Sequence, residues 1–233
     1  MSVHDGHRER MRKRFLEQGI DGFAEHEALE MLLYYTNPRK DTNALAHALI
    51  SEFGSFARVL EASVTDLQKV PGVGPQTAMH LNYIGSAVRY YHISKAEEHG
   101  TILSSVEQCI SYMRPLFVGR QNETVYLLCL DAKCKQLACK LLGEGSVNST
   151  AVPIRRIVGT ALATNATSVI LAHNHPSGVA FPSNDDVATT KVVANALQAV
   201  DIILADHLVF ADDECVSMVQ SELFDPKTGY ILI

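Results

Sequence analysis

The chain has 233 residues, which is enough for one large domain or two small domains with real hydrophobic cores. Its hydrophobic content of 47% and charged content of 20% are those of a soluble globular protein. The net charge is −6 and neither half of the chain is basic, which excludes nucleic-acid binding through bulk charge.

No apolar run approaches the length of a membrane span, and the N-terminal stretch MSVHDGHRERMRKRF has no apolar core of a signal peptide. We therefore expect a cytoplasmic protein that makes no contact with a membrane. The five cysteines form no C-x-x-C pair, and their odd number favours reduced thiols over a disulfide framework.

Apolar residues three and four positions apart predict that residues 1–96 form an all-helical domain. Pro38 and Gly54 mark the ends of two helices, because proline disfavours helical backbone in the residue before it and glycine is common after a helix C-terminus. The predicted helices cover residues 7–18, 26–36, 41–53, 55–61, 64–69 and 75–93.

The string Val70-Pro71-Gly72-Val73-Gly74-Pro75 separates the last two of these helices. It resembles the hairpin of helix-hairpin-helix DNA-binding modules, in which glycines let backbone N–H groups approach a phosphate beside a helix N-terminus. Gly72, Val73 and Gly74 are therefore candidate nucleic-acid contacts. A tight turn that packs two helices together is the other interpretation, since the residues just after the hairpin carry no positive charge.

A short polar segment that ends in glycine predicts a domain boundary near residues 96–102. The second domain, residues 102–233, alternates predicted helices with short apolar strands, which indicates a mixed sheet flanked by helices. Helices are predicted at residues 105–117, 152–166 and after Ser183, and strands at residues 123–130, 136–142, 167–172, 202–210 and 215–218.

The stretch LAHNHPSGVAFPSNDD, residues 171–186, carries the candidate chemistry. His173 and His175 alternate at the carboxyl end of a predicted strand, so both can point the same way. A Pro/Gly-rich loop follows, and Asp186 falls in the first turn of the next helix. Two imidazoles and one carboxylate leave a fourth position for water, as a catalytic zinc site requires.

Ser183-x-x-Asp186 also matches an ordinary capping box, in which a serine and an acidic residue satisfy the first N–H groups of a helix. An H-x-H pair alone is a metal site in a minority of cases, but a capping carboxylate at this spacing favours metal binding. The two interpretations of Asp186 are compatible.

The pattern H-x-H, seven residues, S-x-x-D resembles that of the JAMM (MPN+) metallopeptidase domain. The longer string HNHPSG followed by P-S-x-x-D is similar to the bacterial RadC family, and this resemblance covers nearly the whole chain. It implies a JAMM/MPN-like, cytidine-deaminase-like α/β sandwich preceded by an all-α helix-hairpin-helix-like domain. It also implies one zinc ion per chain and hydrolysis of an amide or isopeptide bond by metal-activated water.

The same resemblance places a general-base glutamate at the start of the first strand of the domain, where this chain has Glu123. Glu144, which lies between two glycines, is the second candidate for the base. Family members carry a glutamate in the helix before the motif, where this chain has Arg156. That difference favours Glu123 over a helix-borne base.

Three further polar residues accompany the motif. Ser183 is expected to donate its hydroxyl to the developing oxyanion, unless the hydroxyl is occupied in capping the helix. Asp185 is expected to be exposed or to lie behind the ligands. We expect His207 to support a ligand rather than to bind the metal, because a fourth protein ligand would close the water position.

Three hypotheses follow. The first is a zinc metallopeptidase or isopeptidase of unknown substrate, with DNA as a partner of the N-terminal domain if the hairpin binds phosphates. The second is a metal-dependent nuclease, which would need additional carboxylates for a two-metal site. The third is a non-catalytic DNA-associated binding module. Metal content separates the third from the first two, and the sequence does not reveal the oligomeric state.

Overall fold

The computed structural model describes residues 3–38, 40–97, 100–145, 153–176, 178–226 and 228. The chain divides into two compact units, Met1–Tyr90 and Tyr91–Ile233. The predicted boundary near residues 96–102 lies somewhat later, where the last helix of the N-terminal series ends. Within the described part of the chain, no helix is both long and apolar enough to cross a membrane.

The first unit is all-helical, as predicted. Its buried core is built from leucines, valines and alanines contributed by successive helices, with Leu29, Leu33, Leu49, Leu67 and Leu81 fully buried. The helices are α1 (Val3–Gln18), α2 (Glu25–Thr36), α3 (Asn43–Phe53), α4 (Phe56–Glu61), α5 (Val64–Leu67) and α6 (Pro75–Glu97), the last of which begins in the first unit and ends in the second.

Local capping explains where α4 and α5 begin and where α3 ends. The hydroxyls of Ser55 and Ser63 accept hydrogen bonds from the first-turn N–H groups of α4 and α5, which leaves fewer unpaired donors at those ends. α3 ends at Gly54, whose φ of +90° lies in the left-handed region that glycine adopts without strain.

The second unit is a five-stranded mixed sheet with helices on both faces, as predicted. The strand order is β2-β1-β3-β4-β5, in which β3 and β4 are parallel and the other neighbours are antiparallel. The elements are α7 (Val106–Met113), a short 3-10 helix (Arg114–Leu116), β1 (Glu123–Leu130), β2 (Gln136–Gly145), α8 (Ile154–Ala163), β3 (Ser168–Asn174), α9 (Asn184–Gln198), β4 (Ile203–Ala211) and β5 (Glu214–Ser217).

Alternate residues of the central strands belong to two separate hydrophobic cores. On β1, Val125 and Leu127 join Ile157 of α8 and Leu197 of α9 in the core on one face of the sheet. The intervening residues of β1, among them Leu128, join α7 in the core on the opposite face. Because side chains of a strand alternate in direction, the face on which a residue of β1 or β3 lies can be assigned from its position.

Two predicted helices are shorter than expected. The helix predicted for residues 105–117 ends at Met113 and continues as the 3-10 helix around Pro115, since proline cannot donate the next helical hydrogen bond. The helix predicted for residues 152–166 ends at Ala163, before Asn165, which has a φ of +54°. Val152, its predicted first residue, lies outside the described residues.

Gly85 is the position in the first unit where a side chain has least room. A Cβ atom added there would lie 2.3 Å from the carbonyl oxygen of Leu60, which is backbone and has no side-chain freedom to move away. Gly159 of α8 offers a matched control, because an added Cβ would meet nothing within 4 Å.

We expect Gly85→Ala to lower the free energy of unfolding by about 1–3 kcal/mol, as overpacking typically does, although alanine favours helix. Gly159→Ala should instead raise it, by up to about 1 kcal/mol. Urea denaturation followed by circular dichroism measures both changes. Equal effects of the two substitutions would contradict the close packing of α6 on α4.

Candidate metal centre

The three predicted ligands meet at one end of the sheet. His173 lies in β3, His175 follows it, and Asp186 lies in the first turn of α9. The two Nε2 atoms are 2.9 Å apart, and the Asp186 carboxylate oxygens lie 3.1 Å from His173 Nε2 and 3.4 Å from His175 Nε2. Among the described residues, this is the group of His, Cys, Asp and Glu side chains compact enough to hold a metal ion, with ligand atoms all within 4.8 Å of one another.

The hydrogen bond on the far side of His175 determines which of its nitrogens is free. The Nδ1–H of His175 donates to the carbonyl oxygen of Val179, at 3.0 Å. In a neutral ring the proton is then on Nδ1, and the lone pair of Nε2 faces Asp186. The loop between β3 and α9 therefore orients His175 as a ligand.

A longer chain of hydrogen bonds orients His173. The Thr190 hydroxyl donates to the carbonyl oxygen of Asp186 at 2.6 Å, so it accepts from the Nδ1–H of His207, also at 2.6 Å. His207 Nε2 is then an acceptor, and it receives the Nδ1–H of His173 at 2.9 Å. The lone pair of His173 Nε2 is thereby left facing Asp186.

His207 is suited to this role because it stays neutral. Complete burial, together with repulsion from His173, lowers the pKa of His207 to about 3. A neutral ring has one donor and one acceptor nitrogen, as the chain of bonds requires. His207 thus contacts the candidate ligand His173 from behind, as expected from sequence, and Thr190 is a member of the site that sequence reasoning missed.

Asp186 has the roles of a helix-capping residue and of a candidate ligand together. Its Oδ2 accepts from the backbone N–H of Ser183 at 2.7 Å and from the Ser183 hydroxyl at 2.6 Å, which completes a capping box. Burial opposes ionisation of Asp186, but the adjacent rings of His173 and His175 and the Ser183 hydroxyl outweigh it and hold the pKa of the Asp186 carboxyl well below its usual range. The carboxylate is therefore ionised.

The position of Ser183 changes its expected role. Its hydroxyl proton goes to the Asp186 carboxylate, and its oxygen accepts from the Asp186 backbone N–H at 3.2 Å. The hydroxyl is thus occupied in the helix cap. It therefore cannot also donate to an oxyanion, as the sequence analysis expected it to do if it were free. We assign Ser183 to positioning Asp186. The neighbouring Asp185 is exposed, as expected.

Glu123 lies beside the ligands because of strand pairing. It is two residues before Val125 on β1, and Val125 pairs directly with His173 of β3, so Glu123 faces the same side of the sheet as the ligands. Glu123, His173 and Asp186 line one cavity. Burial raises the pKa of Glu123, which makes its carboxylate a stronger proton acceptor than an exposed glutamate.

Glu144 is placed on the other side of the sheet. It pairs with Thr124, the residue after Glu123, and so shares the face opposite to that of the ligands. Its carboxylate forms an ion pair with Arg120 at 2.9 Å. Arg156 donates to the backbone carbonyl oxygens of Leu141 and Leu142 and so ties α8 to β2.

Asn174, between the two histidines, is a further residue that sequence reasoning missed. Its side chain is buried, and it receives the N–H of Thr124 at 2.8 Å and donates to the carbonyl oxygen of Asn122 at 3.2 Å. These two bonds are made to the residues on either side of Glu123, and they hold the start of β1 against β3. The sequence contains one indication of this role. The middle residue of H-x-H on a strand faces away from the two histidines, and here it is polar.

The predicted nucleic-acid hairpin is a packed turn in the structure. Gly72 has a φ of +97°, and Val73 is buried in the core of the first unit. The N–H of Val73 donates to the carbonyl oxygen of Val70 at 3.1 Å, so it is not available to a phosphate. Val73 is therefore removed from the candidate contacts, while phosphate contact by Gly72 and Gly74 stays a prediction.

The arrangement of the candidate ligand atoms fits a metal ion. With both Nδ1 atoms engaged as donors, two imidazole lone pairs and a carboxylate face one another, and three acceptors repel unless a cation lies between them. Two nitrogens and an oxygen with a solvent-accessible side at His175 and Asp186 suit a metal that keeps one position open.

Comparison with protein families agrees with this geometry. A family model described as a RadC-like JAB domain matches residues 103–223, which is more than half of the chain and includes the whole sheet and the three candidate ligands. A model described as UPF0758 N-terminal matches residues 6–79 of the helical unit. The second unit therefore has the fold of JAMM-type metal-dependent hydrolases, and the chain belongs to the RadC family.

Proposed function

We propose that this protein is a zinc-dependent hydrolase that cleaves an amide bond in a peptide or isopeptide. The observation that carries the proposal is the convergence of three oriented ligand atoms, from His173, His175 and Asp186. Two of these residues, His173 and Asp186, line a cavity together with Glu123. Two imidazoles and one carboxylate suit zinc better than magnesium, which prefers oxygen ligands in octahedral geometry.

The residues of the chain have separate tasks in this proposal. Zinc bound by the three ligands would lower the pKa of a water molecule and polarise the substrate carbonyl. Glu123 accepts the proton of the attacking water and delivers it to the leaving amine. His207 and Thr190 keep the His173 ring in the ligand tautomer, and Ser183 holds the Asp186 carboxylate in place.

A metal-dependent nuclease is less well supported by the same residues. Two-metal nuclease sites need several carboxylates around the ions. Asp185, the acidic neighbour of Asp186, is exposed on α9, and Glu144 lies on the opposite face of the sheet. The compact group of described residues contains one carboxylate, that of Asp186.

The first test is metal content. We expect the purified protein to bind about one zinc ion per chain, and His173→Ala and Asp186→Ala to lose it, because each removes one of three ligands. Asp185→Ala is the matched control and should retain the metal. Atomic absorption after dialysis measures the stoichiometry, and a wild-type protein that fails to bind zinc on titration would refute the proposal.

The second test concerns the base. Glu123→Gln should retain zinc but reduce amide hydrolysis at least about 100-fold, since glutamine cannot accept the proton. Glu144→Gln should hydrolyse at nearly the wild-type rate. A screen of peptide and isopeptide substrates with zinc-loaded protein supplies the assay. Loss of activity in Glu144→Gln, with activity kept in Glu123→Gln, would reverse the assignment.

The third test concerns the support of His173. Thr190→Val keeps the shape of the buried side chain but removes the hydroxyl that links Asp186 to His207. We expect the dissociation constant for zinc to rise about 10–100-fold, as loss of hydrogen bonds behind a ligand usually causes. Competition with a chromogenic chelator measures it. Thr190→Ser should bind zinc as tightly as the wild type. A zinc affinity of Thr190→Val equal to that of the wild type would argue against the hydrogen-bond chain.

A further inference from the structure

A cleft continues from the candidate metal centre across the sheet. It lies between α8 and α9, above β1 and β3, and has a volume of about 360 Å³. Glu123, His173 and Asp186 lie along its wall, so the cleft and the metal centre are one continuous cavity. The volume falls in the range of pockets that bind small ligands or single side chains.

Apart from those three residues, the lining of the cleft is mostly apolar. The buried residues Val125, Leu171 and Ile157 come from the two strands and from α8. Val192 of α9 also lines the cleft, and it is 54% exposed although it is a branched apolar residue. A concave surface of aliphatic groups beside a few polar groups is typical of a site that recognises an apolar ligand group.

We propose that this cleft binds a large aliphatic or aromatic side chain of the substrate residue next to the scissile bond. The inference rests on the hydrolase function proposed above, because a substrate carbonyl beside Glu123 and His173 places its neighbouring side chain at the mouth of the cleft. The substrate class is thus a peptide or isopeptide with a bulky apolar residue adjacent to the bond that is cleaved.

Charge and size both favour such a side chain. An acidic side chain would lose its hydration against the apolar lining, and the Glu123 carboxylate at the metal end of the cavity opposes it further. A lysine would lose its hydration against Val125, Leu171 and Ile157 without a partner among them. Alanine or glycine would leave the space unfilled and so lose the favourable burial of apolar area.

Substrate preference tests the inference. Fluorogenic peptides are varied at the residues on both sides of the scissile bond, with Leu, Phe, Ala, Lys or Glu at each. In zinc-loaded wild type, kcat/KM for Leu or Phe at one of these positions should exceed that for Ala about tenfold or more, and that for Lys or Glu by a larger factor. Active protein with no preference, or with a preference for Lys or Glu, would overturn the inference.

Two exposed residues provide the variants. Val192→Asp places a charge at the edge of the cleft and should remove the preference for Leu and Phe while zinc content stays the same. Leu162→Asp is the matched control, because Leu162 of α8 is 50% exposed and is not among the residues that line the cleft. The control should keep the wild-type preference, and a Val192→Asp variant that also keeps it would argue against the site.

A binding measurement separates this inference from the proposed function. N-acetyl-leucinamide is titrated into the protein as purified, and the methyl NMR signals of Ile154, Ile157 and Val192 are followed, with N-acetyl-glycinamide as the control compound. Shifts with the leucyl compound alone, absent in Val192→Asp, would support the cleft even if no hydrolysis were found. Hydrolysis without such shifts or preference would leave the function standing and refute the cleft.

Discussion

The candidate centre depends on a chain of hydrogen bonds that runs from the backbone carbonyl of Asp186 to His173. The backbone carbonyl of Asp186 accepts from Thr190, which accepts from His207, which accepts from His173, and the free nitrogen of His173 faces the Asp186 carboxylate. Because Thr190, His207 and His173 are buried, they have no water to replace a missing partner. The orientation of the ligand atoms is therefore determined by the fold itself and not by side chains that move freely in solvent.

The sheet connects this chain of hydrogen bonds to the proposed base. β3 carries His173 on one face and Asn174 on the other, and Asn174 holds the start of β1, where Glu123 lies. Neighbouring residues of β3 thus have separate positions, His173 at the candidate metal centre and Asn174 at the start of β1, since alternate side chains point to opposite faces. The same alternation places Glu144 on the face away from the ligands.

The parts of the site that are local in sequence could be predicted from it. H-x-H on a strand and S-x-x-D at a helix N-terminus are patterns whose geometry follows from a few consecutive residues, so the sequence predicts that His173, His175 and Asp186 lie close together, as they do in the structure. The mixed sheet flanked by helices followed from alternating strand and helix patterns in the same way. The choice between the two glutamates rested on resemblance, because strand pairing is invisible in one sequence. Thr190 and the apolar cleft depend on elements that meet only in three dimensions.

Asn174 also bears on how β3 finds its place among its neighbours. Nearly every residue of β3 is buried, so the usual alternation of apolar and polar residues does not distinguish its two faces. A slip by one residue would keep apolar groups inside but would leave the Asn174 amide without the carbonyl of Asn122 and the N–H of Thr124. An unsatisfied buried amide costs about 1–3 kcal/mol, enough to favour one pairing strongly over its neighbours. Asn174 thus determines the register of β3, which the apolar residues of that strand do not determine by themselves.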